Sequence, residues 1–175
     1  LFLNQNVFYK QTETLKRIIG VKKVEKFTDR FQRIKYFAHY DASLEIFKDF
    51  PISGIGNKNY RFVCSDEKYL NKNLLMSETR CSTHPHQLHF ELLSEHGLIG
   101  YLLFFYIIFI FLKKNLKHAQ HSNNIFTLTP LIYLTIFLIP LLPSGSLFST
   151  FNGTLFWIVF SVANYNFNKI HKLNY

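Results

Sequence analysis

The strongest constraint on the fold is a long charge-free apolar segment, "GLIGYLLFFYIIFIFL", at residues 97–112. Glu95 is the last acidic residue of the chain, and the next charged residue after it is Lys113. At about 1.5 Å of rise per residue, a helix of this length approaches the roughly 30 Å hydrocarbon core of a bilayer. The segment therefore predicts a membrane-spanning helix.

Two further apolar segments follow, at 125–143 and 147–167. Pro130 and Pro140 lie in the first of them, but membrane helices tolerate proline where neighbours satisfy the freed backbone groups. The alternative is three buried helices of a soluble protein, which the missing polar faces disfavour. We predict an all-α polytopic membrane protein, in which a mostly helical, outward-facing loop region at 1–96 precedes three transmembrane helices.

The lysines in the short loops predict the orientation of these spans. The 113–124 loop and the 168–175 tail contain lysines, whereas the 144–146 loop contains none. The positive-inside rule places lysine-bearing loops in the cytoplasm, so 144–146 and the long region 1–96 are predicted outside. Because the chain opens on Leu1 without a signal peptide to deliver that outside region, we expect it to be the C-terminal part of a longer protein.

Both cysteines, Cys64 and Cys81, lie in the predicted outward region, 17 residues apart. In an oxidising periplasm such a pair indicates a disulfide, and two unrelated thiols are the alternative. A zinc site is disfavoured because the chain has no CxxC spacing.

The outward region contains a short amphipathic pattern at 41–50, which predicts a helix that ends at Pro51. The glycine turn "SGIGNKN" follows, and its lone GxG does not indicate a nucleotide site. Nine Lys and Arg residues lie within 1–37. They indicate either a surface for anionic head groups or phosphorylated lipid, or an ordinary solvated face.

The stretch "THPHQLHFELLSEHGLIG", residues 83–100, holds four histidines directly before the first apolar segment. Pro85 predicts a helix start, capped by Thr83 or His84, with His86 in the first turn. The positive end of a helix disfavours imidazolium, so His86 is expected to be neutral and able to accept a proton, and free N–H groups there also suit a phosphate.

On this predicted helix, His86, His89 and His96 share a face, and Glu91 and Glu95 lie opposite. A metal site is one alternative, but His96 lies two turns along the helix, too far to complete it, so no metal is expected. A purely structural histidine cluster is the other alternative.

His86-Gln87, nine residues, and then Gly97-x-x-Gly100 resemble the signature of the O-antigen ligase and O-antigen polymerase superfamily. The segment "ASLEIFKDFPISGIGNKNYR" at 42–61 is similar to the family's amphipathic helix, proline and Gly-x-Gly. The segment "PSGSLFSTFNGTLFW" at 143–157 is similar to the outward loop before the family's last span. The three segments come in the family's order.

The resemblance implies a metal-independent inverting glycosyltransferase of the bacterial inner membrane, with a periplasmic active-site loop and without nucleotide sugar or other cofactor. The implied donor is a glycan on undecaprenyl diphosphate. The acceptor is the lipid A core for a ligase, or another lipid-linked glycan for a polymerase, which "CSTHPHQ" resembles slightly more. No nucleic-acid partner is expected.

His86 is the candidate base for the acceptor hydroxyl, and Arg61, Arg80 and Arg33 are candidates to bind the diphosphate, since arginine can bind it bidentately. Tyr36 stands where many members have an arginine, and each arginine has the alternative of an ordinary surface residue. Two other functions stay open. A transporter of lipid-linked glycans would be expected to have charges within its spans, and these have none. A non-catalytic envelope protein would bind a glycolipid or partner through the outward region.

Overall fold

The computed structural model describes residues 34–119 and 125–173. Within these ranges the chain is helical and contains no strand, which confirms the all-helical part of the predicted fold. The five helices are α1 (Lys35–Asp49), α2 (Tyr60–Val63), α3 (Leu88–Ala119), α4 (Ile125–Phe137) and α5 (Thr150–Leu173). Two 3-10 turns, Glu67–Tyr69 and Ser77–Thr79, connect α2 to the segment before α3.

Helix α1 ends at Asp49, just before Pro51 as predicted, but it begins at Lys35, well before residue 41. His39, Ser43 and Ile46 are buried on one face of α1, at the helical spacing of four and three residues. The prediction was too short because its apolar pattern did not extend to the buried residues Ala38, His39 and Tyr40, which precede residue 41. Tyr40 of α1 stacks on Phe90 of α3 with ring centroids 4.4 Å apart.

Helix α3 is broken at Gly97, whose φ of 63° and ψ of −167° are not helical. An uninterrupted helix through this position was predicted and is wrong. The break frees the N–H groups of Leu98 and Ile99, which donate to the carbonyls of Pro51 (2.8 Å) and Ile52 (3.2 Å). The glycine turn after α1 thus supplies the backbone partners that the helix loses.

Gly54 and Gly97 face each other where this turn meets α3. Both have positive φ, 67° and 63°. A Cβ added to Gly54 would collide with the backbone of Glu95, and one added to Gly97 with the backbone of Ile52. Two separate glycines are therefore needed for a single close contact between the turn and the helix.

Cys64 and Cys81 form a disulfide with their Cα atoms 5.4 Å apart. Cys64 belongs to a small buried cluster with Ile46, Tyr60 and Tyr69. The disulfide therefore ties the end of α2, and with it α1, to the segment that leads to His86.

Among the described residues, one helical stretch is long and apolar enough to cross a membrane, Leu88–Leu116. Only 22% of its most apolar window is buried, unlike the core helix of a soluble protein. The second apolar segment forms a shorter helix that ends at Phe137, before Pro140, and the third forms a helix that begins at Thr150 rather than 147. These helices pack together around Leu131, Leu134 and Phe156, but the three-span arrangement itself stays a prediction.

Candidate active site

His86 lies in the segment before α3, with a φ of 61°, and not in a first helical turn as predicted. The helix starts two residues later because Gln87 caps it. The side-chain oxygen of Gln87 accepts a hydrogen bond from the N–H of Phe90 (3.1 Å), and its backbone carbonyl accepts from the N–H of Glu91 (3.0 Å). The prediction that Thr83 or His84 caps the helix was therefore also wrong.

Three histidines from two parts of the chain meet at this point. The ring of His86 lies 4.2 Å from that of His84 and 5.1 Å from that of His39 in α1, measured between centroids. Tyr36 adds an edge contact to His86 at 5.6 Å. The Oγ of Ser82 and the Nε2 of His86 are 2.8 Å apart. We call His39, His84 and His86 the histidine cluster.

His89 and His96 do not join this cluster, so the predicted shared face with His86 is wrong. The two ring nitrogens of His89 lie 2.9 Å from the hydroxyl of Tyr101 and 2.9 Å from the carbonyl oxygen of Leu138. The ring of His96 packs against Phe148 at 4.7 Å. Both rings are therefore held by residues of the apolar segments. His86 precedes α3, so it does not lie on the helical face that carries His89 and His96.

Burial and neighbouring positive groups keep the cluster neutral. Burial, followed by the charges of His84, His39 and Lys35, lowers the pKa of His86 to about 4. Burial also lowers the pKa of His39 and of His84. The lowered pKa keeps His86 unprotonated at neutral pH, and its cause is desolvation and not the helix end that the sequence suggested.

A polar cavity of about 300 Å³ adjoins the cluster and shares His84 with it. Arg61 and Lys58 bring positive charge to this cavity, and the start of α5 brings hydroxyl and amide groups. The full lining is Lys58, Arg61, Thr83, His84, Glu91, Glu95, Ser146, Ser149, Thr150 and Asn152. A space of this composition suits an anionic group with hydroxyls beside it.

The two glutamates of the cavity are buried, and each holds a distant loop. The carboxylate of Glu95 accepts hydrogen bonds from the N–H groups of Lys58 (2.7 Å) and Tyr60 (3.1 Å). That of Glu91 accepts from the hydroxyl of Ser146 and from the N–H of Leu147 (3.1 Å). Sequence reasoning gave neither residue a role. Their spacing of four residues next to an apolar segment was the available signal.

The loop before α5 also holds the His86 segment directly. The N–H of Ser144 donates to the carbonyl of His86 at 2.8 Å. The side-chain amide of Gln87 donates to the carbonyl of Ile139 at 3.5 Å. Together with Glu91, these contacts seat the loop between α4 and α5 against the residues just before and at the start of α3.

The candidate arginines lie in different places. Arg61 lines the cavity, whereas the buried guanidinium of Arg80 donates to the carbonyls of Ser65 (3.1 Å) and Asp66 (3.3 Å). Arg33 lies outside the described residues, as does most of the basic stretch at 1–37. Within the described ranges, no group of three or more His, Cys, Asp or Glu residues is arranged to hold a metal ion.

A neutral histidine cluster beside a polar cavity that Arg61 and Lys58 line, next to an exposed apolar helix, defines a helical membrane-associated protein with a candidate site. The chain belongs to the O-antigen ligase family, whose family model matches residues 3–105. The matched part includes His86, Gln87, Gly97 and Gly100 and ends within α3. The family is one of membrane-associated proteins of the ligase and polymerase type. No curated protein and no solved structure matches the chain.

Proposed function

We propose that the protein transfers a glycan from undecaprenyl diphosphate to a lipid-linked or lipid A-core acceptor at the outer face of the bacterial inner membrane. One observation carries this proposal: His84 belongs both to the histidine cluster and to the polar cavity that Arg61 and Lys58 line. A group that binds an anion is thus next to a group that accepts a proton, and the transfer needs both.

Arg61 and Lys58 are assigned to the diphosphate of the donor. Charged hydrogen bonds from these groups stabilise the negative charge that grows on the diphosphate as its bond to the sugar C1 breaks. The hydroxyl groups of Ser149 and Thr150 and the amide of Asn152 are available for sugar hydroxyls in the same cavity. The diphosphate is already a good leaving group, so neither a metal nor a nucleotide sugar is required.

His86 is assigned as the base that takes the proton of the acceptor hydroxyl. The acceptor oxygen attacks C1 from the side opposite to the diphosphate, so the anomeric configuration inverts. With its pKa lowered to about 4, His86 is a weak base before the donor binds. A bound diphosphate brings negative charge close to the imidazole and raises its pKa, so donor binding makes the base effective.

The membrane arrangement is part of this proposal. Residues 97–112, 125–143 and 147–167 are the spans, 113–124 and 168–175 are cytoplasmic, and 1–96 and 144–146 lie outside. The exposed apolar side chains of α3 after Gly97 support the first span. The contact of Ser144 with His86 supports placing the 144–146 loop on the same side as the histidine cluster.

The test compares His86→Gln with His89→Gln in the full-length protein. Glutamine can hydrogen-bond but cannot take up a proton, so His86→Gln should lower the transfer rate roughly 10²- to 10⁴-fold. His89→Gln can keep hydrogen bonds to Tyr101 and Leu138 and should change the rate far less. Transfer is read as surface polysaccharide ladders in a strain without its own enzyme, at matched protein abundance.

Arg61→Ala should also remove most of the transfer, whereas Lys48→Ala, at an exposed lysine paired with Glu45, should leave it unchanged. Wild-type ladders from His86→Gln would show that the histidine is structural. Wild-type ladders from both His86→Gln and Arg61→Ala would favour a non-catalytic envelope protein.

A further inference from the structure

His39 is a buried titratable residue to which the proposed transfer gives no role. It is 0% exposed, lies on α1, and is brought to His86 by the packing of α1 on α3. Its sequence surroundings, "YFAHYDAS", contain no motif that would single it out.

The tautomer of His39 follows from its hydrogen bond to Arg80. Its Nδ1 lies 2.7 Å from the backbone oxygen of Arg80, and a carbonyl oxygen can only accept. Nδ1 therefore carries the hydrogen, and Nε2 has the free lone pair in the neutral ring. That Nε2 is buried and has no hydrogen-bond partner. A buried acceptor without a partner is costly, which points to a partner that arrives during function.

The orientation of His39 is fixed by a built network. The carbonyl of Arg80 also accepts from the hydroxyl of the fully buried Tyr60 at 2.6 Å. Arg80 is next to Cys81, whose disulfide to Cys64 ties this segment to α2. The ring of His39 is thus held from α1, from α2 and from the disulfide-linked segment.

The spacing of the two rings suits a hydrogen bond between them. Two imidazoles joined by an N–H···N bond have centroids roughly 5 Å apart, since each nitrogen lies about 1 Å from its centroid. The centroids of His39 and His86 are 5.1 Å apart, with an angle of 48° between the ring planes. The rings are therefore at the right distance, and a modest rotation of His86 aligns them.

We propose that His39 is the positioning residue of His86, and that its Nε2 accepts a hydrogen bond from the N–H of the His86 imidazolium formed during transfer. This rests on the proposed function. The proton leaves the acceptor hydroxyl as its oxygen bonds to the sugar C1, and it resides on His86. His39 binds the second N–H of that imidazolium. The two nitrogens of His86 are then both engaged, so the Oγ of Ser82 gives up its contact with Nε2 during this step. The proton passes to the diphosphate or to water after the C1–O bond to the donor has broken.

Other charged or titratable side chains near His39 and His86 come from four parts of the chain. Those on α1 are Lys35, Tyr36 and Tyr40, those on α2 are Tyr60 and Arg61, those on the segment before α3 are Arg80 and His84, and those on α3 are Glu91 and Glu95. The two glutamates are engaged by loop donors, and both tyrosines at 40 and 60 have a raised pKa because they are buried. The two histidines that contact His86 have pKa values lowered by burial, whereas burial raises the pKa of Glu91 to about 7, so Glu91 is the member of this set that titrates near neutral pH.

The experiment uses His39→Asn and His39→Gln in the full-length protein, reconstituted in vesicles with a synthetic undecaprenyl-diphosphate glycan and its acceptor. Asparagine keeps a donor near the Nδ1 position but lacks an acceptor at Nε2, whereas glutamine reaches that position. We expect His39→Asn to lower kcat roughly 10- to 100-fold with KM little changed, and His39→Gln to restore part of it. The acid limb of the kcat profile should move to lower pH in His39→Asn, because the imidazolium loses a hydrogen-bond acceptor.

The double variant His39→Asn/His86→Gln separates this role from a loss of folding. If His39 acts through His86, His39→Asn adds no further loss once His86 is glutamine, whereas purely structural damage multiplies the two losses. Multiplied losses, an acid limb that moves to higher pH, or wild-type kcat in His39→Asn would each overturn the inference. If the wild-type protein transfers no glycan to any acceptor, the proposed function itself fails.

Discussion

The two parts of α3 on either side of Gly97 differ in which side chains they bury and which they expose. Before the break, the polar residues Glu91, Ser94 and Glu95 are buried, with at most 1% of their surface exposed. After it, Ile107 and Phe109 are exposed at 56% and 63%. We call these the polar part (Leu88–His96) and the apolar part (98–116) of α3. One helix is thus built for two surroundings, and the glycine lies at their junction.

The polar part has a buried side because loops fold over it. Its carboxylates are satisfied by backbone and hydroxyl donors of the turn after α1 and of the loop before α5. Within the described residues, nothing covers the outer side of the apolar part, and its exposed side chains lie along one surface. Soluble monomers seldom expose so large an apolar patch, whereas a hydrocarbon core solvates it. The acidic residues of α3 therefore lie in the part that the loops cover, and its exposed apolar residues lie in the part without that cover.

The largest effect, on the stability of the protein, is expected when Gly97 between the two parts of α3 is replaced. Gly97→Val would place a β-branched residue at positive φ and push its Cβ into the backbone of Ile52, so the unfolding free energy should fall by more than about 3 kcal/mol. We expect the protein to disappear from the membrane fraction on immunoblots. Gly56→Ala is the control. It also introduces a side chain at a positive φ, 91°, but its added Cβ meets only the side chain of Asn59, so it should cost less, roughly 1 to 2 kcal/mol. Normal abundance of Gly97→Val would show that α3 can run straight.

A second prediction concerns the opposite ends of the apolar part. Leu142→Cys lies beyond the end of α4, at the outer end of the proposed second span and on the same side as the polar part, so it should react in intact cells with a membrane-impermeant thiol reagent. Lys113→Cys, at the far end, should react only after the cells are opened, because the bilayer separates the two positions. Both residues are exposed in the structure, so burial does not explain a difference. Equal labelling of the two in intact cells would contradict the proposed topology.

The smallest effect is expected from pH. The pKa of His86 is lowered to about 4 in the folded protein, below about 6.5 for an unfolded histidine. The contribution of neutral His86 to the free energy of unfolding is therefore fully present above about pH 6.5. It is lost as the pH falls toward 4, because only the unfolded state binds the proton in that window. Glu91 acts in the opposite direction, because burial raises its pKa to about 7 and the folded state takes up that proton before the unfolded state does. The effect of His86 is therefore measured as the difference in hydrogen exchange between the wild type and His86→Gln as the pH falls. That difference should appear over residues 83–96 and be small over 98–116.

His86→Gln removes this titration, so residues 83–96 should exchange more slowly at acid pH than in the wild type. The remaining response would come from His39 and His84, whose pKa values are lowered by burial, and from Glu91 and Glu95, whose pKa values are raised by burial. Equal acceleration of exchange in both parts of α3 would show that acid acts on the whole helix and not on the histidine cluster.

Local sequence signals predicted the features that local chemistry determines. The charge-free segment predicted the apolar helix, Pro51 predicted the end of α1, and "SGIGNKN" predicted a turn. The break at Gly97 could not be predicted in this way, because a glycine within a helical pattern is usually tolerated. Its partners, the carbonyls of Pro51 and Ile52, lie more than forty positions away in sequence.

The residues of the candidate site also fall into two groups, those that a local signal predicted and those that depend on contacts between distant residues. The family signature pointed to His86, Gln87, Gly97 and Gly100 because these residues lie close together in sequence. Glu91 and Glu95 were placed on the helix, but their burial depends on donors from Ser146 and Lys58 in distant loops. His39 had no signal at all, since an isolated histidine on an amphipathic helix is ordinarily a surface residue. Tertiary contacts, not local pattern, bring these side chains to the cavity.

The hydrogen bond from Ser144 to the carbonyl of His86 has a consequence for the timing of synthesis. The family signature is complete once residue 100 has left the ribosome, but the donors that hold the His86 segment and Glu91 lie at Ser144, Ser146 and Leu147. Until that loop has been translated and has packed against the segment before α3, His86 lacks the contact that fixes its backbone. The nascent chain therefore passes through a stage in which every signature residue is present but the candidate site has not yet formed.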